Sequence, residues 1–165
     1  MQITNFRDMY VSELQELRSV EVQLARALEQ MAEMASNPTL KNGFMRHREE
    51  TLVHQQRLED ILQRHGVSAN AHEDQSMQAL VHETEKMMSM VQGNELRDAA
   101  LIASAQKVEH YEIAAYGTAA ALAGQLELRD DQKILHQTLE EERRTDELLT
   151  KVAKQEVNPE AVALQ

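Results

Sequence analysis

Hydrophobic positions recur along this chain every three to four residues, over spans far longer than a strand, which is the period of helices that bury one face. Leu14, Leu17, Leu24, Leu28 and Met31 follow alternating steps of three and four, and Glu21 occupies the place of the missing member of that series. Breakers divide the periodic spans into five predicted helices. The first covers about 5–35; Thr4 or Asn5 can cap it, and Ser36-Asn37-Pro38-Thr39 ends it. Thr39 is then the expected cap of a second helix over about 40–65, followed by a loop from Gly66 to Ala71. A shorter, methionine-rich helix is expected over about 73–91, with Gly93 as its stop and Asn94 as the next cap. The last two cover about 95–125 and about 129–155, and the tail from Val157, which contains Pro159, is expected to fray or to pack on a neighbour. β-Branched residues never cluster into alternating runs, so no strand is predicted.

The pattern is that of an all-α protein with four long helices, read as one domain over 1–165. Two of the three links are short and force antiparallel neighbours. The third, about 30 residues and itself partly helical, allows a crossover that leaves the second and third long helices parallel. That connectivity is the ferritin-like four-helix bundle, here with an extra helix in the crossover.

Each long helix interrupts its apolar stripe near mid-length with acid. Besides Glu21, the second helix aligns Glu50, His54, Leu58 and Ile61. The fourth predicted helix aligns Ile102, Ala105, Glu109, Glu112, Tyr116 and Ala119, and the fifth aligns Leu135, Leu139, Glu142, Asp146 and Leu149. Glu49, Glu140 and Glu141 lie off these stripes and read as solvated, the last two beside Arg143 and Arg144. Taken singly, each inward acid could reach the bundle edge, and His54 could be a hydrogen-bonded core residue. Taken together, Glu21, Glu50, Glu109, Glu112, Glu142 and Asp146, with His54, converge at one level of the bundle. Six carboxylates with no Lys or Arg on their stripes cannot remain ionised together without cations, because one buried ion alone costs several kcal/mol. Two divalent metal ions, iron or manganese, fit an oxygen-rich set with an occasional imidazole.

Composition narrows the partners. The net charge of −11, with no basic block, argues against nucleic acid and against anionic membrane. The least polar stretch, Ile113 to Gly124, is too short for a bilayer, which needs roughly 20 apolar residues. No cysteine is present, which excludes disulfides and thiolate chemistry and suits a reducing compartment, and the start shows no signal-peptide pattern. The expectation is a soluble, cytoplasmic protein.

The stretches RSVEVQLARALEQMA, HREETLVHQQRLEDIL, RDAALIASAQKVEHYEIAAYGTAAALA and QTLEEERRTDELLT resemble the YciF/YciE group of ferritin-like bacterial proteins, over nearly the whole chain. The resemblance implies a ferritin-like bundle, a homodimer and an association with general stress responses, and no established reaction. The wider superfamily builds its metal site from a Glu on each of two helices and a Glu-x-x-His on each of the other two. By that template Glu21 matches the lone glutamate, Glu109 and Glu112 the paired glutamates, and Glu50 and Glu142 the glutamates of the two motifs. The chain departs from it three residues on, where Val53 and Thr145 stand instead of histidine, with His54 and Asp146 one step further. At most one histidine makes the expected site strongly acidic and shifts the preference towards manganese.

Two functional readings follow. One is a dinuclear-metal stress protein acting on a small-molecule oxidant, O2 or peroxide; the other is a structural or interaction dimer whose ancestral site is empty or partly occupied. Nothing in the sequence specifies the closed shell that iron storage needs. Met77, Leu80, Met87, Met88, Met90 and Val91 give the crossover helix more apolar surface than a lone helix should expose, and mark it as the expected dimer contact.

Overall fold

Side chains placed by the sequence set most of the helix starts. In the computed structural model, which describes residues 2–163, α1 (Phe6–Met34) begins at Asn5, whose Oδ1 accepts the amide of Asp8 at 2.9 Å. α2 (Pro38–Arg64) starts earlier than the sequence suggested. Asn37, not Thr39, caps it by accepting the Leu40 amide at 3.0 Å, and Pro38 takes the first turn, where no amide hydrogen is needed. α3 (Gln75–Met90) is capped by Asp74, which accepts the Met77 amide at 2.6 Å. Asn94 is already part of α4 (Asn94–Gln125); the turn before it is held by Gly93 at φ 92°, a conformation that glycine reaches without strain.

α5 (Arg129–Val152) does not end in a frayed tail. It continues through a π-helical turn, Ala153–Val157, into α6 (Asn158–Ala163); Val157 in the turn and Ala161 in α6 are buried, and α6 packs on α4. Pro159 explains the wide turn. In a regular α-helix its ring would press on the carbonyl four residues back, and an i to i−5 step before it opens that space.

Two polar anchors fix the direction of each helix. The amides of Ser36 and Asn37, in the α1–α2 turn, donate to Asp98 near the start of α4 at 2.8 Å each. At the other end Tyr10, Arg64 and His65 all donate to Asp131 at the start of α5, at 3.1, 2.7 and 2.7 Å. Hence α1 runs antiparallel to α2 and parallel to α5, while α2 and α4 are parallel. The link between them crosses the length of the bundle, and α3 within it covers α1 and α4. This is the ferritin-like arrangement. α2 and α5 touch more thinly than the other long neighbours, which leaves a cleft between them.

The core is divided. One apolar cluster, with Val20, Leu24, Phe44, Met77 and Leu101, lies towards the α1–α2 turn; a second, with Tyr10, Leu14, Leu58, Tyr116 and Leu135, lies towards the Asp131 end. Between them is a belt of buried polar side chains. No described helix is long and apolar enough to cross a membrane.

Candidate metal centre

The polar belt replaces one or two layers of the apolar seam on all four long helices. In α2 the buried seam runs Phe44, His47, Thr51, His54, Leu58, Ile61, again in alternating steps of three and four. His47 and His54, seven residues apart, therefore share a face, and Glu50 falls to the side of it. α1 contributes Glu21, α4 contributes Glu109 and Glu112, and α5 contributes Glu142; all are at most 1 % exposed.

These side chains form two groups with one shared member. His47, Glu109, Glu112 and Glu142 can bring one donor atom each within 4.8 Å of one another, and so can Glu21, His54 and Glu142. Nε2 of His47 stands 2.9 Å from Oε1 of Glu109, and Nδ1 of His54 stands 2.8 Å from Oε1 of Glu142. Both approaches are out of line with the ring N–H direction, so neither satisfies the nitrogen as a hydrogen bond. Both oxygens of Glu112, both of Glu142, one each of Glu21 and Glu109, and the hydroxyl of Thr51 are also buried without a hydrogen-bond partner. Buried polar atoms are normally paired, and a concentration of orphaned carboxylate oxygens and ring nitrogens within 4.8 Å of one another could hold a metal ion. The residues present fit divalent metal: four carboxylates offset the charge of two such ions, and two imidazoles supply nitrogen.

The electrostatics point the same way. Burial pushes the Glu21 carboxyl up to about 7, with Glu142 adding to the effect and His54 opposing it. Burial, then Glu142, Glu21 and Glu109, raise Glu112 well above the usual carboxylate range, and burial also raises Glu142. Burial disfavours charge on His47, yet the Glu109 carboxylate overrides it and raises that imidazole; His54 is raised likewise, by Glu142 and Glu21 against burial. Tyr116, fully buried, donates a hydrogen bond to Oε1 of Glu21 and so holds one of its oxygens.

Of the residues expected from the sequence, Glu21, His54, Glu109, Glu112 and Glu142 meet in the belt, and two do not. Glu50 has a 43 % exposed side chain and lies 3.6 Å from Nδ1 of His47, on the ring's outer side. A step of four from His54 to Glu50, then from His54 to Leu58, drifts off a seam that alternates three and four. Asp146 sits at the α4–α5 edge, where it accepts from Gln106 at 3.1 Å and faces His110 at 3.2 Å. Thr145, three residues after Glu142, turns inward instead, with its hydroxyl 3.4 Å from Nδ1 of His47. Where six acids and at most one histidine were expected, the belt brings together four acids and two histidines.

His47 is not among the residues expected from the sequence, although extending the three–four alternation back from His54 through Thr51 to Phe44 passes through it. Glu141, expected to be solvated, instead accepts from Nε2 of His54 at 2.8 Å and from both terminal nitrogens of Arg57 at 2.6 and 3.2 Å.

Residues 5–162 match the family model described as a domain of unknown function, DUF892. Protein YciF of Escherichia coli strain K12 is 41% identical over 162 residues, 98% of this chain and 98% of its own. The crystal structure of the E. coli stress protein YciF superposes with a TM-score of 0.89, covering 94% of this chain and 99% of that one. YcfI of Rhodopseudomonas palustris, 32% identical, also gives 0.89, covering 92% of this chain and 97% of that one. A Xanthomonas campestris protein at 20% identity and a TM-score of 0.76, covering 91% and 92%, shares the fold. The chain is a YciF-like protein and belongs to the DUF892 family.

Proposed function

We propose that this protein is a cytoplasmic dinuclear-metal carboxylate protein, holding two divalent ions of iron or manganese, with a role in stress through a small-molecule oxidant or through metal handling. One observation carries the reading: buried carboxylate oxygens and two imidazole nitrogens face a common volume without hydrogen-bond partners. His47, Glu109, Glu112 and Glu142 would hold one ion, and Glu21, His54 and Glu142 the other, with Glu142 common to both. Iron or manganese there supplies redox chemistry and Lewis acidity. The chain's own part is to exclude water, to present deprotonated donors and to hold protons at defined atoms: Tyr116 on Glu21, and Nε2 of His54 on Glu141. The second imidazole brings nitrogen to the site and serves iron as well as manganese. The stress role rests on likeness to the E. coli protein described as a stress protein, and the cytoplasmic placement on the lack of cysteine. Metal analysis of protein purified without chelator, followed by calorimetric titration of the stripped form, is expected to give two ions per chain. Failure of both Fe²⁺ and Mn²⁺ to bind would overturn the reading.

A second reading has its own observation. Both histidines are raised by adjacent carboxylates while Glu21 and Glu112 are raised towards neutrality, so the belt can approach charge balance by protonation alone. A structural or interaction protein with a vacant site is consistent with that, and the same metal titration separates the two. For either reading we propose a homodimer. Its support from α3 is narrower than the sequence implied: Met77 is fully buried and Met88 packs on the core, leaving Met87 and Met90 exposed. A monomeric mass by light scattering at micromolar concentration would exclude it.

A further inference from the structure

We propose that the cleft between α2 and α5 is a binding site for a small oxyanion, held by Arg46 and Arg144 over the outer edge of His54. The site deepens the metal reading and rests on it only for its link to the centre; anion binding itself needs no metal. The cleft encloses about 430 Å³, ample for a phosphate-sized ion. Its lining includes Arg46, Arg57 and Arg144 with Glu50, Glu141 and His54. Three arginines thus line one opening of a chain whose net charge is −11.

The charges there are unevenly satisfied. Arg57 is spent on Glu141 and on the Thr138 hydroxyl, at 2.6–3.2 Å and 3.0 Å. Arg46 and Arg144 make no ion pair among the described residues; Arg144 donates only to the Glu140 carbonyl, at 3.3 Å. Glu50, on the rim, attracts Arg46 without contacting it. Two planar donor forks with unused N–H groups suit a group in which several oxygens share negative charge. A divalent cation would meet three arginines against two carboxylates, one of which, Glu141, is already held by Arg57 and His54, and an apolar molecule would find no aromatic or long aliphatic wall.

The floor of the cleft connects it to the belt. Glu141 and Glu50 are the outer partners of His54 and His47, at 2.8 and 3.6 Å. An oxyanion that draws on Arg57 competes with Glu141 for it, and Glu141 orients the imidazole. Anion and metal occupancy are therefore linked, and each must alter the affinity of the other by the same factor.

The test uses the full chain with ¹⁵N-labelled arginine and histidine side chains, stripped of metal and titrated with inorganic phosphate against sodium chloride of equal ionic strength. Saturable shifts of the Arg46, Arg144 and Arg57 Nε–H resonances and of His54 are expected, with a dissociation constant on the order of 1 mM. Combining Arg46→Gln with Arg144→Gln should weaken binding at least about tenfold, the loss expected from removing charge-assisted hydrogen bonds. Arg48→Gln, where Arg48 pairs with Glu49 and Glu29, should leave it unchanged. Shifts that chloride reproduces, or that persist in the double variant, would overturn the proposal. Phosphate binding by a protein that takes up no metal removes the dinuclear reading and keeps the cleft; metal uptake without phosphate binding does the reverse.

Discussion

Nε2 of His54 donates to Oε2 of Glu141 across 2.8 Å, and the direction of that bond can be assigned. Burial pushes Glu141 upwards, but hydrogen bonds from Arg57, His54 and Gln137 outweigh it and hold the carboxyl down at about 2. Glu141 is then an acceptor only, so the ring proton sits on Nε2. In the neutral ring Nδ1 is left with a lone pair facing Glu21 and Glu142, the tautomer that a metal ligand needs. Glu141→Ala is expected to lower metal affinity about 10- to 100-fold, as loss of such an outer carboxylate does elsewhere. Calorimetry on the stripped protein checks this, and an unchanged affinity would show that His54 needs no such support.

Glu112→Gln should change stability in opposite directions with and without metal. Without metal it removes one of four crowded acids, whose charge burial and the neighbouring carboxylates disfavour, and should stabilise the fold. With Mn²⁺ or Fe²⁺ it removes a donor and should lower the melting temperature relative to the parent. Glu49→Gln, on the solvent side of α2, should do neither, within about 0.5 kcal/mol. Identical behaviour of the two variants would take Glu112 out of the site.

The metal-free protein should be most stable in mild acid. Glu21 moves from an ordinary 4.5 up to about 7 on folding, so between those values the folded state binds more protons and stability falls as pH rises. A window of about 2.5 pH units at about 1.4 kcal/mol each gives on the order of 3 kcal/mol from this group alone. His47 and His54, raised on folding, act in the same sense: their contribution is full below 6.5 and is lost as pH rises through their folded values. Glu141 and Asp131, lowered on folding, contribute above their ordinary values and lose that contribution as pH falls through their folded ones. Melting curves in chelator should therefore show an optimum near about pH 4–5. Because metal binding displaces protons, the stabilisation by Mn²⁺ should grow from pH 5 to 8. Parallel pH profiles with and without metal would contradict this.

Glu127→Gly should stabilise the protein by about 1 kcal/mol. Glu127 holds φ 58° at the end of α4, where the Leu128 and Glu127 amides donate back to Ala123 and Gly124 at 2.9 and 3.1 Å. The equivalent turn after α2 uses Gly66 at φ 69° with the same pair of bonds. A melting temperature at or below that of the parent would show that the Glu127 side chain contributes more than its backbone strain removes.

The helices, their faces and the crossover were legible because apolar periodicity and breakers report them directly. The belt was legible as a level, from Glu21, Glu109, Glu112 and Glu142, since an acid on a buried stripe stands out. Membership in α2 and α5 was harder to read. There, Asp146 and Thr145 differ by a single residue step, about 100° of rotation, and Glu50 and His47 by three steps, a net offset of about 60°, and only packing against the other helices decides which residue points inward. Glu141 shows the converse: its partners Arg57 and His54 lie more than eighty residues back in the chain, and no local pattern announces a long-range ion pair. The π turn before Pro159 was likewise hidden, because proline reads as a terminator unless a wide turn precedes it.

The division of the core into two apolar clusters has a consequence for how the molecule holds together. Every long helix passes through both clusters, but their side chains meet only across the belt, where buried acids crowd one another without hydrogen-bond partners. Without cations the belt is the least cohesive cross-section of the bundle, and each end can retain its own packing while the middle loosens. Amide exchange in the stripped protein should then show two separately protected blocks flanking Glu21, Glu112 and Glu142, and bound metal should merge them into a single unit that opens only when the whole chain unfolds.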